Sequence, residues 1–153
     1  MIVPADGDFR LDREVDTARL GAALAGELRA HEAVCLSGPL GAGKSSLARG
    51  LIRALVGADI EAPSPTFTLV QTYQTPRLAL AHFDLYRLVK PEEVAELGLD
   101  EALDEGAAVI EWPDKLGHHL PRDRLDVELH IEGARRRARL SAHGAWEDRA
   151  LEF

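Results

Sequence analysis

The stretch Ser37-Gly38-Pro39-Leu40-Gly41-Ala42-Gly43-Lys44-Ser45-Ser46 satisfies the pattern G-x-x-x-x-G-K-[ST] in full. Ahead of it, Ala33-Val34-Cys35-Leu36 is a short apolar run that predicts a buried strand. Behind it, Leu47, Leu51 and Leu55 recur at helical spacing, with Ala48, Ile52 and Ala54 filling in, and Gly57 supplies a helix stop. A strand, a glycine loop and a helix in that order form the context in which the pattern is a phosphate site. The glycines let the loop close until its N–H groups point inward, and the helix N-terminus adds positive potential. Lys44 is then placed to bridge β- and γ-phosphates and the Ser45 hydroxyl to ligate Mg²⁺. The stretch therefore predicts a nucleoside triphosphate site; the alternative, a glycine-rich turn with a solvated lysine, leaves the matching flanks unexplained.

At 153 residues, 46% hydrophobic and 29% charged, the chain suits one globular domain spanning 1–153. No apolar run is long enough to span a bilayer, and the N-terminus lacks a basic, apolar leader, so a cytoplasmic location is expected. A lone cysteine, Cys35, excludes an internal disulfide and a cysteine-rich zinc site, and its place in a strand predicts a small buried hydrophobe. The net charge of −8 argues against a strong direct grip on nucleic acid. Only three lysines occur, Lys44, Lys90 and Lys115, and there is no asparagine.

Residues 1–11 read as an extended lead-in. Val15, Leu20, Leu24 and Leu28 predict an amphipathic helix over about 12–30, with Asp12 or Asp16 as N-cap. The prolines of Ala62-Pro63-Ser64-Pro65 forbid helix there. Alternation predicts a strand from Thr66 to Tyr73, a turn over 74–77 and a second strand from Leu78 to Tyr86, together an antiparallel hairpin. Pro91 opens a helix that runs to Leu97, and Asp100 caps a short one to Leu103. A buried strand covers 107–110, and a final hairpin joins 125–131 to 137–141; the tail from Gly144 is too short to assign.

A phosphate-loop ATPase also needs a carboxylate at a strand end and a group that senses the γ-phosphate. Two acids compete. Glu111 follows a small apolar run and precedes Trp112-Pro113, the cleaner Mg²⁺ placement, whereas Asp84 shares one face of its strand with His82 and Tyr86, the more polar neighbourhood. Ser64-Pro65-Thr66 reads as a stiffened switch segment in which Thr66 offers an oxygen. Arg135-Arg136-Arg137 reads by default as a solvated cluster, His118-His119 as exposed loop, and Trp112 and Trp146 as packing residues.

Four blocks taken together are distinctive: Gly38–Ser45, Ser64-Pro65-Thr66-Phe67-Thr68-Leu69, His82-Phe83-Asp84-Leu85-Tyr86-Arg87-Leu88, and Glu111-Trp112-Pro113. Over roughly residues 12–142 the sequence resembles the bacterial TsaE (YjeE) family. The resemblance implies a single-domain α/β phosphate-loop (P-loop NTPase) fold with a mixed central sheet flanked by helices. It also implies binding of ATP or ADP with Mg²⁺, slow ATP hydrolysis alone, and action with TsaB and TsaD in threonylcarbamoylation of adenosine 37 of tRNA, which the partners hold. Residue by residue, it implies that Gly41, Ala42, Gly43, Lys44, Ser45 and Ser46 cradle phosphate, with Ser45 and Glu111 on the metal. Glu111 is favoured over Asp84 as the direct ligand; Thr66 matches the switch threonine and Trp112 the tryptophan beside the site. More weakly, Glu14, Asp114 and Arg136 fall where the family contacts nucleotide. The sequence departs from the family at Pro39, where relatives commonly have Asp, and at Ser45-Ser46, where they have Thr-Thr.

Other readings are a small-molecule kinase, for which the chain has little room for a lid, and a nucleotide-gated binding module without significant hydrolysis. A GTPase is excluded, because the guanine-reading Asn-Lys-x-Asp motif needs an asparagine.

Overall fold

The structure, a computed structural model, describes residues 1–153. Strands β1 (Ile2–Pro4) and β2 (Gly7–Leu11) precede helix α1 (Glu14–Glu27), strand β3 (Ala33–Ser37) and helix α2 (Lys44–Val56). Strands β4 (Val70–Gln74) and β5 (Ala79–Asp84) follow, then helices α3 (Val94–Leu97) and α4 (Leu99–Glu105). Strand β6 (Gly106–Glu111), the hairpin β7 (Arg124–Glu132) and β8 (Arg135–His143), and β9 (Ala150–Glu152) complete the chain.

Seven strands form one sheet in the order β2-β8-β7-β3-β6-β5-β4, and β1 pairs separately with β9. The central four, β7, β3, β6 and β5, are parallel, while β2, β8 and β4 join antiparallel at the edges. This is the mixed α/β sheet the resemblance implied. Strands β3, β6 and β5 are covered on both faces, as their apolar runs require, whereas β7 alternates and buries Leu125, Val127 and Leu129 on one face only. Val34, Leu36, Val109 and Val127 face α1 and α2 in the larger core, and Cys35, Phe83 and Ile110 face the side of Val94, Leu99 and Leu116. Burying each large aliphatic of these cores contributes about 1.5–3 kcal/mol. Helices α1 and α2 touch backbone to backbone: a Cβ on Gly21 would lie 2.2 Å from the Leu47 carbonyl oxygen, and one on Gly50 2.4 Å from that of Ala18.

The elements differ from the sequence expectation in five places. Helix α1 starts at Glu14 with Arg13 as N-cap, not Asp12 or Asp16; Asp16 sits three residues inside, and its carboxylate accepts the Arg13 N–H at 3.0 Å. That helix also ends early, because Leu28 is extended and Arg77, from the β4–β5 turn, donates to the carbonyls of Leu28 (2.6 Å) and Ala25. The strand expected from Thr66 begins only at Val70, since Leu69 adopts φ +68° and its N–H closes a turn on the Pro65 carbonyl. The lead-in and the tail hold strands β1, β2 and β9, while Trp146, read as a packing residue, is indeed wholly buried. Asp100 caps nothing: Gly98 precedes α4, which runs on to Glu105. No helix is long and apolar enough to cross a membrane.

Candidate functional site

Parallel strands present their C-terminal ends at one rim of the sheet, where open α/β folds bind ligands. The loop of 38–43 leaves β3 at that rim. Gly38 (φ +136°) and Gly43 (φ +109°) occupy backbone regions that suit glycine, and a Cβ on Gly38 would lie 2.4 Å from the Leu129 carbonyl oxygen. The neighbouring strands β5 and β6 end there too, and their register sets Asp84 directly beside Glu111. Period two puts His82, Asp84 and Glu111 on the α2 face of the sheet, in line with Leu80 and Val109. All three are buried: His82 is 1%, Asp84 4% and Glu111 2% exposed.

A cleft of about 390 Å³ opens over these residues, lined by the loop, Ser45, Ser46, Ser64, Thr66, Asp84, Tyr86, Glu111 and Trp112. One hydroxyl network joins its walls. Ser45 Oγ lies 3.1 Å from Glu111 Oε1, and Ser64 Oγ lies 2.6 Å from Asp84 Oδ2 and 3.0 Å from Glu111 Oε2. Thr66 Oγ1 donates to Asp84 Oδ2 at 3.1 Å, and the Tyr86 N–H to Asp84 Oδ1 at 3.1 Å. His82 Nε2 is 2.7 Å from Glu111 Oε2.

Lys44 is folded back on its own loop. Its ammonium donates to the carbonyls of Gly38 (2.6 Å) and Pro39 (3.0 Å) and sits 4.2 Å from the centre of the Trp112 ring. Burial pushes this lysine below its ordinary range, against the pull of Glu111, Asp84 and Asp114. Trp112 itself adopts φ +61°, unusual for a bulky residue, and packs on Tyr86 with ring centres 4.9 Å apart.

The remaining candidates fall into place differently. Ala42 turns its side chain into the core and its N–H onto the Pro39 carbonyl at 3.1 Å, so it presents neither to the cleft. Glu14 and Arg136 line a second cleft of about 310 Å³ on the other side of the loop, which shares Gly41, Gly43 and Ser46 with the first. There Arg136 holds the Gly41 carbonyl through two N–H groups at 3.2 and 3.3 Å, and Ser46 Oγ lies 3.4 Å from Glu14. Asp114 is exposed and outside the walls of both clefts. The sequence reading assigned no role to Ser64, His82 or Tyr86. For His82 the signal was present, two residues before Asp84 on one strand face; for Ser64 and Tyr86 it depends on turns that the strand pattern hides.

The family model described as "Threonylcarbamoyl adenosine biosynthesis protein TsaE" matches residues 11–139. The chain belongs to the TsaE family. It is similar to the tRNA threonylcarbamoyladenosine biosynthesis protein TsaE of Rickettsia bellii, 41% identical over 121 residues, 79% of this chain and 84% of the relative. It is also similar to TsaE of Mycobacterium tuberculosis, 40% identical over 134 residues, 80% of this chain and 78% of the relative. Among solved structures, the crystal structure of Bacillus subtilis YdiB superposes with a TM-score of 0.75 at 26% identity, covering 90% of this chain and 85% of that one. TsaE membership places this chain in the biosynthesis of threonylcarbamoyladenosine in tRNA, and the family and fold mark it as a nucleotide-binding type.

Whether the residues suit the implied groups is a question of donors. No three His, Cys, Asp or Glu side chains cluster as a metal cage anywhere in the chain. The cleft offers two carboxylates and three hydroxyls, an all-oxygen set suited to Mg²⁺, which keeps waters and takes few protein ligands. Two oxygens bound side by side on an octahedral Mg²⁺ at ~2.1 Å lie ~3.0 Å apart, and Ser45 Oγ and Glu111 Oε1 lie 3.1 Å apart. The loop, with glycines where a Cβ would strain or clash, suits phosphate.

Proposed function

We propose that this protein binds ATP or ADP with Mg²⁺ and hydrolyses ATP slowly. Its nucleotide cycle serves threonylcarbamoylation of adenosine 37 of tRNA, in a complex with TsaB and TsaD that holds the tRNA. The observation that carries the reading is the convergence of Lys44, Ser45, Thr66, Asp84 and Glu111 on one cleft at the mouth of the glycine loop, in a chain of this family. The loop would take the phosphates, and Glu14 and Arg136, in the cleft that shares the same glycines, would face the rest of the nucleotide.

Mg²⁺, when bound, would supply positive charge that offsets the charge of the phosphates. Ser45 Oγ and Glu111 Oε1 would hold the ion, since they stand 3.1 Å apart and Ser45 is the hydroxyl that follows Lys44 at the start of α2. Asp84 has a different task. Its oxygens accept from Ser64, Thr66 and the Tyr86 N–H, so it anchors the segment of 64–66 over the cleft and fixes where the Thr66 hydroxyl stands. Lys44 supplies the positive charge. Its present partners are two neutral carbonyls, which phosphate oxygens outbid through charge-assisted bonds. Trp112 covers the ammonium and keeps water from that side.

The test is nucleotide binding by calorimetry with and without Mg²⁺, and ATP turnover alone and with TsaB and TsaD added. The expected result is Mg²⁺-dependent binding, poor turnover alone and stimulation by the partners, with Lys44→Ala abolishing binding and turnover. Phosphorylation of a metabolite with no response to the partners refutes the proposal in favour of a kinase.

A further inference from the structure

Glu111 is held by more than the cleft needs. Its Oε1 faces Ser45, while its Oε2 meets Ser64 and, from the protein interior, His82 Nε2 at 2.7 Å. His82 is 1% exposed and projects from the middle of β5, two residues before Asp84. Its other ring nitrogen, Nδ1, is buried with no partner. Leaving a buried N–H without an acceptor is unfavourable, so the ring proton belongs on Nε2, where the carboxylate accepts it, and Nδ1 carries the lone pair. The imidazole therefore has a single polar contact, the carboxylate of Glu111.

We infer that His82 is a positioning residue: it holds Glu111 Oε2 by an N–H bond so that Oε1 stays turned to Ser45. The inference rests on the Mg²⁺ reading given above. A glutamate side chain has three rotatable torsions, and Glu111 stands at a strand end beside a second acid, Asp84, in register with it. Without an interior donor, Oε2 keeps only the Ser64 hydroxyl, which Asp84 holds at the shorter distance of 2.6 Å. His82 is thus the donor to Oε2 that no other carboxylate competes for. Carboxylate ligands are commonly oriented by such outer bonds, and losing one lowers metal affinity about 10–100-fold.

The experiment measures ADP affinity by calorimetry in EDTA and across a Mg²⁺ series, for the wild type, His82→Leu, His82→Gln, Glu111→Gln and the double variant His82→Leu/Glu111→Gln, with thermal melts confirming that each folds. The wild type must first bind ADP more tightly with Mg²⁺; if it does not, the proposed function fails and not the role of His82. Given that, His82→Leu is expected to lose about 10–100-fold in Mg²⁺ affinity with its EDTA affinity within about twofold of the wild type. His82→Gln, whose amide donates from nearly the position of Nε2, should recover most of the loss, and His82→Leu should add nothing once Glu111 is glutamine. Equal losses in the Leu and Gln variants, an unchanged Mg²⁺ response in His82→Leu, or additive losses in the double variant overturn the inference. Should His82→Leu not fold, a loss in His82→Gln as large as in Glu111→Gln is enough to overturn it.

Discussion

Replacing Arg149 with leucine removes one half of a buried ion pair at the end of the sheet away from the nucleotide cleft. Arg149 donates to Glu32 through two parallel bonds, Nη1 to Oε1 at 2.7 Å and Nη2 to Oε2 at 2.8 Å. Both side chains are nearly closed off, 7% and 6% exposed. The same guanidinium caps the Glu27 carbonyl of α1 (3.0 Å), reaches the Ala145 carbonyl (2.9 Å) and lies over the Trp146 ring at 4.4 Å. The hydrogen bond to Glu32 raises the pKa of Arg149 above its ordinary value, so the guanidinium stays charged. Glu32 meanwhile sits at the entry to β3, and its carbonyl accepts the Ala108 N–H of β6. Breaking such a pair leaves a buried carboxylate facing only the Arg29 N–H, at a cost of about 3–5 kcal/mol. For a chain of this length each kcal/mol moves the midpoint by roughly 2–4 °C, so Arg149→Leu is expected to lower Tm by roughly 6–20 °C. The double variant Arg149→Leu/Glu32→Leu should recover part of this, because no charge is left stranded. Thermal and urea melts of the wild type, both single variants and the double measure the coupling. The Tm rise produced by Mg²⁺ and ADP should survive in all four, since the loop leaves β3 at its other end. A single-variant cost below about 1 kcal/mol, the value for an exposed pair, or a double variant that merely sums the singles, refutes the reasoning.

Other consequences are testable on the same footing. Glu111→Gln should reduce Mg²⁺-dependent ADP affinity at least about tenfold, the worth of one charge-assisted contact. Asp84→Asn should instead depress partner-stimulated turnover more than affinity; equal effects on Mg²⁺ affinity contradict the assignment of the two acids. Cys35 is 1% exposed, and burial, with Asp126 adding and Arg124 opposing, pushes its thiol far above the usual 9.0. The native protein should therefore ignore alkylating reagents that label the urea-unfolded chain. Because the unfolded thiol ionises first, stability relative to Cys35→Ala should fall above pH 9 by about 1.4 kcal/mol per unit, and parallel pH profiles for the two proteins rule this out.

The phosphate loop, its strand and its helix were legible in the sequence because local signals suffice there: an apolar run, glycines at fixed offsets and a leucine period. The acids at 84 and 111 were legible as strand-end residues. That they stand side by side was not, because a parallel pairing between β5 and β6 leaves no local mark. The stretch of 66–69 misled for the opposite reason. Its alternation is that of a strand, yet Leu69 takes a positive φ and the Thr66 hydroxyl is spent on Asp84, a tertiary contact that overrides propensity. The strands β1, β2 and β9 escaped because short edge segments carry too few residues to show a period. The arginine run at 135–137, read as a solvated cluster, is the start of β8, an inner strand paired with β2 and β7, from which Arg136 alone turns to the Gly41 carbonyl.

The register between β5 and β6 sets Asp84 and Glu111 as neighbours on a hydrogen-bonded ladder, not on loops, and this divides the labour of the site mechanically. The two negative charges are bolted to the frame, at a separation that no loop movement can alter without tearing the sheet. Around them stand neutral hydroxyls, those of Ser45, Ser64 and Thr66, which turn about single bonds, and Ser64 already stands between the two acids. A ligand arriving at the rim thus registers as a re-dealing of three protons among fixed oxygens. The segment of 64–66 is held shut only as long as Asp84 keeps its share.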